Sequence, residues 1–127
     1  MVNREWLDAT AAGDTTRVRA LLDAGTNIDA LDKHGQTALM NAARRGDAEL
    51  VRLLVDRGAN LDHTAKYRLT ALMLAVINDR ADVVRILVAA GADREMKGSK
   101  GHFARTPLQY AEEHGRAHLA DILRSGT

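Results

Sequence analysis

The run Val18-Arg19-Ala20-Leu21-Leu22-Asp23-Ala24-Gly25 returns as Val51-Arg52-Leu53-Leu54-Val55-Asp56-Arg57-Gly58, and again as Val84-Arg85-Ile86-Leu87-Val88-Ala89-Ala90-Gly91. The start moves from 18 to 51 to 84, a step of 33 residues each time and without insertion. A fixed period of this size marks a solenoid, in which a unit too small to bury its own apolar face stacks on copies of itself. A solenoid is first of all a surface, so the sequence points to a partner before it points to a reaction.

The rest of the unit aligns around this run. Thr37, Thr70 and Thr106 each precede a short apolar run, where a hydroxyl can accept from an orphan N–H and cap a helix. Pro107 follows its cap directly, at the position where a missing N–H costs nothing. Leu39 and Ala42, Leu72 and Ala75, and Leu108 and Ala111 lie three apart on one helix face. Gly13, Gly46 and Gly115 end this first helix, and Asn78-Asp79 stands where the third unit lacks the glycine. The second helices are expected near Thr15–Ala24, Ala48–Arg57, Ala81–Ala90 and Ala117–Arg124, with Leu21, Leu54, Leu87 and Ile122 in one core. Asp32-Lys33-His34-Gly35 has β-turn chemistry.

These residues resemble the ankyrin repeat. Its Thr-Pro-Leu-His-x-Ala core is matched by Thr37-Ala38-Leu39-Met40-Asn41-Ala42, Thr70-Ala71-Leu72-Met73-Leu74-Ala75 and Thr106-Pro107-Leu108-Gln109-Tyr110-Ala111. Its Leu-Leu-x-x-Gly-Ala-Asp ending is matched at Leu54–Asn60 and Leu87–Asp93. The resemblance implies an all-α solenoid of stacked helix-turn-helix units, with β-hairpin or turn fingers projecting at the base. It also implies that fingers and first helices line a concave face that holds other proteins. A single domain over residues 1–127 is expected, with repeats near 1–31, 32–64, 65–96 and 97–127, as a complete stack with polar ends. Met40 and Met73 replace the family's His, which removes the polar tie that His makes between repeats. The third finger, Ala65-Lys66-Tyr67-Arg68-Leu69, lacks the Asp and Gly of the second. The fourth is longer, with Gly91 to Thr106 spanning 15 residues where Gly58 to Thr70 spans 12.

Composition excludes several classes. Net charge is +1, so no global field marks a nucleic-acid or membrane binder. There is no cysteine, hence no disulfide frame and no thiolate chemistry. No apolar run approaches a membrane span, and Met1–Trp6 lacks the apolar core of a signal peptide; the expected compartment is the cytoplasm and the expected state a monomer. His114 and His118 lie four apart beside Glu112 and Glu113, yet Gly115 breaks the helix a metal pair would need. Lys97-Gly98-Ser99-Lys100-Gly101 imitates a phosphate loop only superficially, because the Ser precedes the Lys and no strand leads into it. No catalytic constellation, cofactor or metal is expected.

The chain has one Trp, two Tyr and one Phe. Trp6 stands where later units carry Leu39, Leu72 and Leu108, and is expected to cover the end of the stack. Tyr110 is expected to be semi-buried between repeats, and Met40 and Met73 to fill gaps. Tyr67 and Phe103 fall in fingers, where the core pattern calls for neither: Tyr67 is expected to stand exposed as an aromatic anchor, and Phe103 either does the same or tucks back to pin its own longer finger. Lys33, Arg44, Arg45, Lys66, Arg68, Lys97, Lys100 and Arg105 map to fingers and first-helix ends, while Asp23, Asp47, Glu49, Asp56 and Asp82 map to second helices. A basic concave face and a more acidic back are expected. The candidate partner surface comprises Lys33, His34, Gln36, Arg44, Arg45, Lys66, Tyr67, Leu69, Ile77, Asn78, His102, Phe103, Arg105 and Glu113, facing a folded domain or an acidic segment. The rival readings are a regulatory or inhibitory subunit of an enzyme encoded elsewhere, and nucleic-acid binding through the basic face.

Overall fold

The computed structural model describes residues 3–125, the side chain of His102 excepted, and within them the chain runs as paired helices. The inner helices are α1 (Arg4–Ala12), α3 (Ala38–Arg45), α5 (Ala71–Ile77) and α7 (Pro107–Glu113). The outer helices are α2 (Thr15–Asp23), α4 (Ala48–Asp56), α6 (Ala81–Ala89) and α8 (Ala117–Ser125), within one residue of the expected bounds. Caps place these starts. Thr37, Thr70 and Thr106 accept from Met40, Met73 and Gln109 N–H, and Gln109 returns a bond to the Thr106 N–H to close a capping box. Asp14 and Asp47 cap α2 and α4 in the same way. Asp79 takes φ 58°, so it does turn the chain where Gly46, at φ 80°, does in the preceding unit.

Inner helices stack on inner helices and outer on outer. Ala42, Ala43, Ala75 and Ala111 are fully buried, and their small side chains let α3, α5 and α7 approach closely. Leu54, Leu87 and Ile122 lie in the one core, whereas Leu21 is only partly buried, because α2 has a flanking outer helix on one side alone. Trp6 is 1% exposed and covers the end of the inner-helix stack, as its register implied. Met40, Met73 and Tyr110 are buried, the last more deeply than expected.

Arginines tie the units where the His is missing. Arg45 donates to the Thr10 carbonyl, Arg80 Nε to the Arg44 carbonyl at 3.0 Å, and Arg116 Nη1 to the Val76 and Ile77 carbonyls. Each guanidinium thus reaches the carbonyls that end the preceding inner helix, where a cation also meets the negative end of the helix dipole. A second ladder runs between the turns that follow the outer helices. Asp29 Oδ1 accepts from Asn60 N–H, and Asp62 Oδ1 from Asp93 N–H, both at 2.9 Å.

The fingers are turns rather than β-hairpins. The second closes with Asp32 N–H to the Gln36 carbonyl and Gly35 N–H to the Asp32 carbonyl; the third repeats both bonds through Ala65, Leu69 and Arg68. That is too short a run to continue as a strand ladder, and no strand occurs among the described residues. The fourth finger carries a 3-10 turn at Gly101–Phe103.

Because Leu54 is fully buried among neighbouring units, Leu54→Ala is expected to cost about 2–5 kcal/mol in urea unfolding. A loss of a few tenths would contradict the core as described.

Candidate functional site

The fingers and inner helices leave a groove of about 710 Å3 at the first two repeats. Its walls are α1, through Arg4, Leu7, Asp8, Thr10 and Ala11, and the second finger with α3, through Asp32, Lys33, His34, Asn41, Arg44 and Arg45. A polar network underlies it. Asp32 Oδ1 accepts from His34 and Gln36 N–H at 2.8 and 3.0 Å, and Asp32 Oδ2 from Asn41 Nδ2 at 3.0 Å. Asn41 Oδ1 then accepts from Arg44 Nη2 at 2.8 Å, and Gln36 Oε1 from Arg44 Nη1 at 3.0 Å. Partial burial opposes charge on Asp32. The Gln36 N–H, the Asn41 amide and the His34 N–H and ring outweigh it and hold the carboxyl below its ordinary range.

A second cluster sits at the third and fourth fingers. Tyr67 and Phe103 stack on each other with ring centroids 5.5 Å apart and planes at 27°. Lys66 Nζ lies 5.0 Å from the Tyr67 ring centroid, and the Tyr67 carbonyl accepts from Ser99 N–H at 2.8 Å. Both rings are half-buried and pack against the core rather than standing free. This corrects the expectation of an exposed Tyr67, and Phe103 takes the tucked alternative, though against the third finger: each ring covers the other. The turn beneath is strained. Tyr67 and Arg68 take φ 63° and 60°, and Arg68 stands where Gly35, at φ 74°, serves the second finger.

The remaining expected residues divide. Lys33, His34 and Arg44 are exposed and line the groove, and Gln36 supports it. Arg45 is exposed at its edge but also serves as a tie between repeats. Leu69 is 8% exposed and belongs to the core, beside the buried Thr70 that caps α5, so it is not a surface anchor. Ile77 is half-buried, and Asn78 Nδ2 bonds the Leu74 carbonyl of its own helix. Arg105 pairs with Glu113 at 2.6 Å. The His102 side chain lies outside the described residues. His114 stacks on Tyr110, and His118 Nε2 meets Asp79 Oδ1 at 2.7 Å, so the two histidines face different neighbours.

The expected acidic back is instead largely paired. Arg57 meets Asp23 at 2.7 Å, Arg85 meets Asp82 at 3.1 Å, and Glu49 accepts from the Thr15 hydroxyl. Among the described residues, Lys33, Lys66, Arg68, Lys97 and Lys100 of the fingers have no ion pair. Sequence reading missed Arg4, Leu7, Asp8, Thr10, Ala11 and Asn41. The available signal was Asn41 itself, a polar residue where the later units carry Leu74 and Tyr110.

The fold is a stack of short helix pairs joined by projecting turns, a helical repeat scaffold whose polar groove lies on the inner-helix side. A family model described as ankyrin repeats, in three copies, matches residues 6–98, and the chain belongs to the ankyrin repeat family. The helix pair α7–α8 lies beyond the matched residues. Members of this family are in general protein–protein interaction modules and are typically non-catalytic. None of the curated proteins compared matches the chain. Among the described residues, no helix is long and apolar enough to cross a membrane.

Two outcomes follow from this geometry. A non-glycine residue in the left-handed region costs about 1–2 kcal/mol, so Arg68→Gly is expected to raise stability by about 0.5–1.5 kcal/mol in urea unfolding; a loss would mean that no strain is held there. Asp32 has a lowered pKa in the folded state, so it favours folding above its unfolded pKa of about 3.9 and loses that contribution as pH falls through the lower folded value. The stability gap between wild type and Asp32→Asn should therefore be constant near neutrality and shrink below about pH 4. A gap that widens in acid would reverse the sign.

Proposed function

We propose that this chain is a non-catalytic protein-binding module that holds its partner across the fingers and inner helices. The observation that carries this reading is the contrast between the two sides. On the outer helices Arg57 and Arg85 are neutralised by Asp23 and Asp82 while Arg19 and Arg52 are not; in the fingers Arg105 pairs with Glu113, but Lys33, Lys66, Arg68, Lys97 and Lys100 are left without ion pairs among the described residues, so the larger unpaired group lies on the finger side. An unpaired field of one sign on a preformed surface steers and orients a partner of opposite sign. The groove adds depth, and the ties between repeats hold the fingers in fixed register.

Nucleic-acid binding fits less well. Single strands are held by open aromatic faces interleaved with cations. Here Trp6 and Tyr110 are buried, and Tyr67 and Phe103 are stacked on each other. A role as regulatory subunit of an enzyme encoded elsewhere is a special case of protein binding, and the partner's identity distinguishes the two.

The test is quantitative capture from lysate of the source cells, comparing charge reversal of the fingers with reversal of the outer helices. Lys33→Glu with Lys66→Glu should reduce capture of the specific partner about tenfold or more, a loss of about 1.4 kcal/mol. Arg19→Glu with Arg52→Glu, on exposed positions of α2 and α4, should leave it unchanged. Loss with the outer pair and retention with the finger pair would place the partner on the outer helices and overturn the reading.

A further inference from the structure

The groove between α1 and the second finger has a feature that a merely solvated basic surface does not need. Arg44 is exposed, yet its guanidinium is fixed at two points, on Gln36 Oε1 at 3.0 Å and Asn41 Oδ1 at 2.8 Å. Both acceptors are neutral amides, and no carboxylate lies within ion-pair distance of Arg44 among the described residues. The side chain is therefore ordered without being neutralised. Its remaining N–H donors are unfilled, in the planar fork that matches a carboxylate. Ordering such a side chain in advance removes a cost that binding would otherwise carry.

The lining carries four cations, Arg4, Lys33, Arg44 and Arg45, against two acids, Asp8 and Asp32, so its balance favours an acidic ligand. Asp32 is the acid nearest in the network, and both its oxygens already accept bonds, from His34, Gln36 and Asn41. It holds the support of Arg44 in place instead of capping the guanidinium. Arg4 and Lys33 stand on opposite walls without ion pairs among the described residues, and Leu7 and Ala11 add an apolar strip along α1. The volume, about 710 Å3, falls in the range of roughly 300–1,000 Å3 that takes a small ligand. That suits a short stretch of chain better than a folded surface. No Phe, Tyr or Trp lines the groove; the His34 imidazole is the one ring among its lining residues, which does not make the row of aromatic faces that holds successive bases.

We propose that this groove is a receptor for a short acidic peptide segment of the partner, with Arg44 as its pre-aimed carboxylate fork, Arg4 and Lys33 as flanking cations, and Leu7 and Ala11 as an apolar strip on one wall. The proposal rests on the protein-binding reading above and assigns it a ligand chemistry and a place. Gln36 and Asn41 are positioning residues: they act through Arg44.

The probe is a short fluorescent peptide alternating Glu and Leu, with a Lys–Leu peptide and oligothymidylate as comparison ligands, read by anisotropy on the full chain. The acidic peptide should bind and the Lys–Leu peptide should not. Arg44→Lys keeps the charge but loses the fork, and should weaken binding about tenfold. Gln36→Ala with Asn41→Ala should weaken binding but leave its salt dependence unchanged, because the charge is retained. Lys33→Glu, on an exposed turn that does not hold the fold together, should weaken binding at least as much as Arg44→Lys. Arg52→Glu should have no effect. Equal affinity for both peptides, tighter binding of oligothymidylate, or unaltered binding by Lys33→Glu would overturn the proposal. If the acidic peptide fails while finger reversal still abolishes partner capture, this assignment falls and the broader protein-binding reading stands.

Discussion

Every unit of this chain depends on the next one for its core. A pair of helices of nine residues or fewer cannot bury an apolar face alone. Ala42, Ala75 and Ala111 bring the inner helices close enough that Leu39, Leu72 and the methionines at 40 and 73 are sealed between them. The polar part of the same interface is a set of arginines, Arg45, Arg80 and Arg116, that donate to carbonyls at the end of the preceding inner helix. Shape and hydrogen bonding therefore fix one spacing between units. The fingers inherit that spacing, so the surface they form is set by the core beneath it.

This constraint explains how a nearly neutral chain carries a directional field. The outer helices place acids beside arginines of their own or the neighbouring unit, as in Arg57 with Asp23. The fingers project away from those acids and keep their lysines unpaired among the described residues. At the groove the arrangement is finer: a network running from Asp32 through Asn41 to Arg44 converts one locked carboxylate into support for an open guanidinium. The third and fourth fingers do something different. There the stack of Tyr67 on Phe103 binds two fingers to each other over a turn held at positive φ by non-glycine residues. The two halves of the concave side are thus unlike, one open and polar, the other closed by rings.

The period, the Thr caps, the helix ends at Gly46 and Asp79 and the capping Trp6 were legible in the sequence because each depends on local chemistry repeated at fixed offset. What lies across units was not. The Tyr67–Phe103 contact joins fingers of different length, and no spacing rule announces it. Leu69 reads as a finger residue, but the turn directs it to the core. Arg80 and Arg116 occupy the cap position that Asp14 and Asp47 hold elsewhere, and only their reach to the preceding helix shows why an arginine serves there. At the groove Lys33, His34, Gln36, Arg44 and Arg45 were legible as polar finger and helix-end positions, whereas Asn41, a polar residue in an apolar register, makes sense only once Asp32 and Arg44 are seen on either side of it.

In the proposed reading the finger and inner-helix side is the working surface. The most direct measurement is an amide NMR map of the labelled chain titrated with the Glu–Leu peptide. Shifts should concentrate on Lys33 to Gln36, Asn41 to Arg45 and the α1 residues Leu7 and Ala11, and fade along α4 and α6. Shifts centred on Arg52 and Arg85 of the outer helices, with the second finger unmoved, would contradict it.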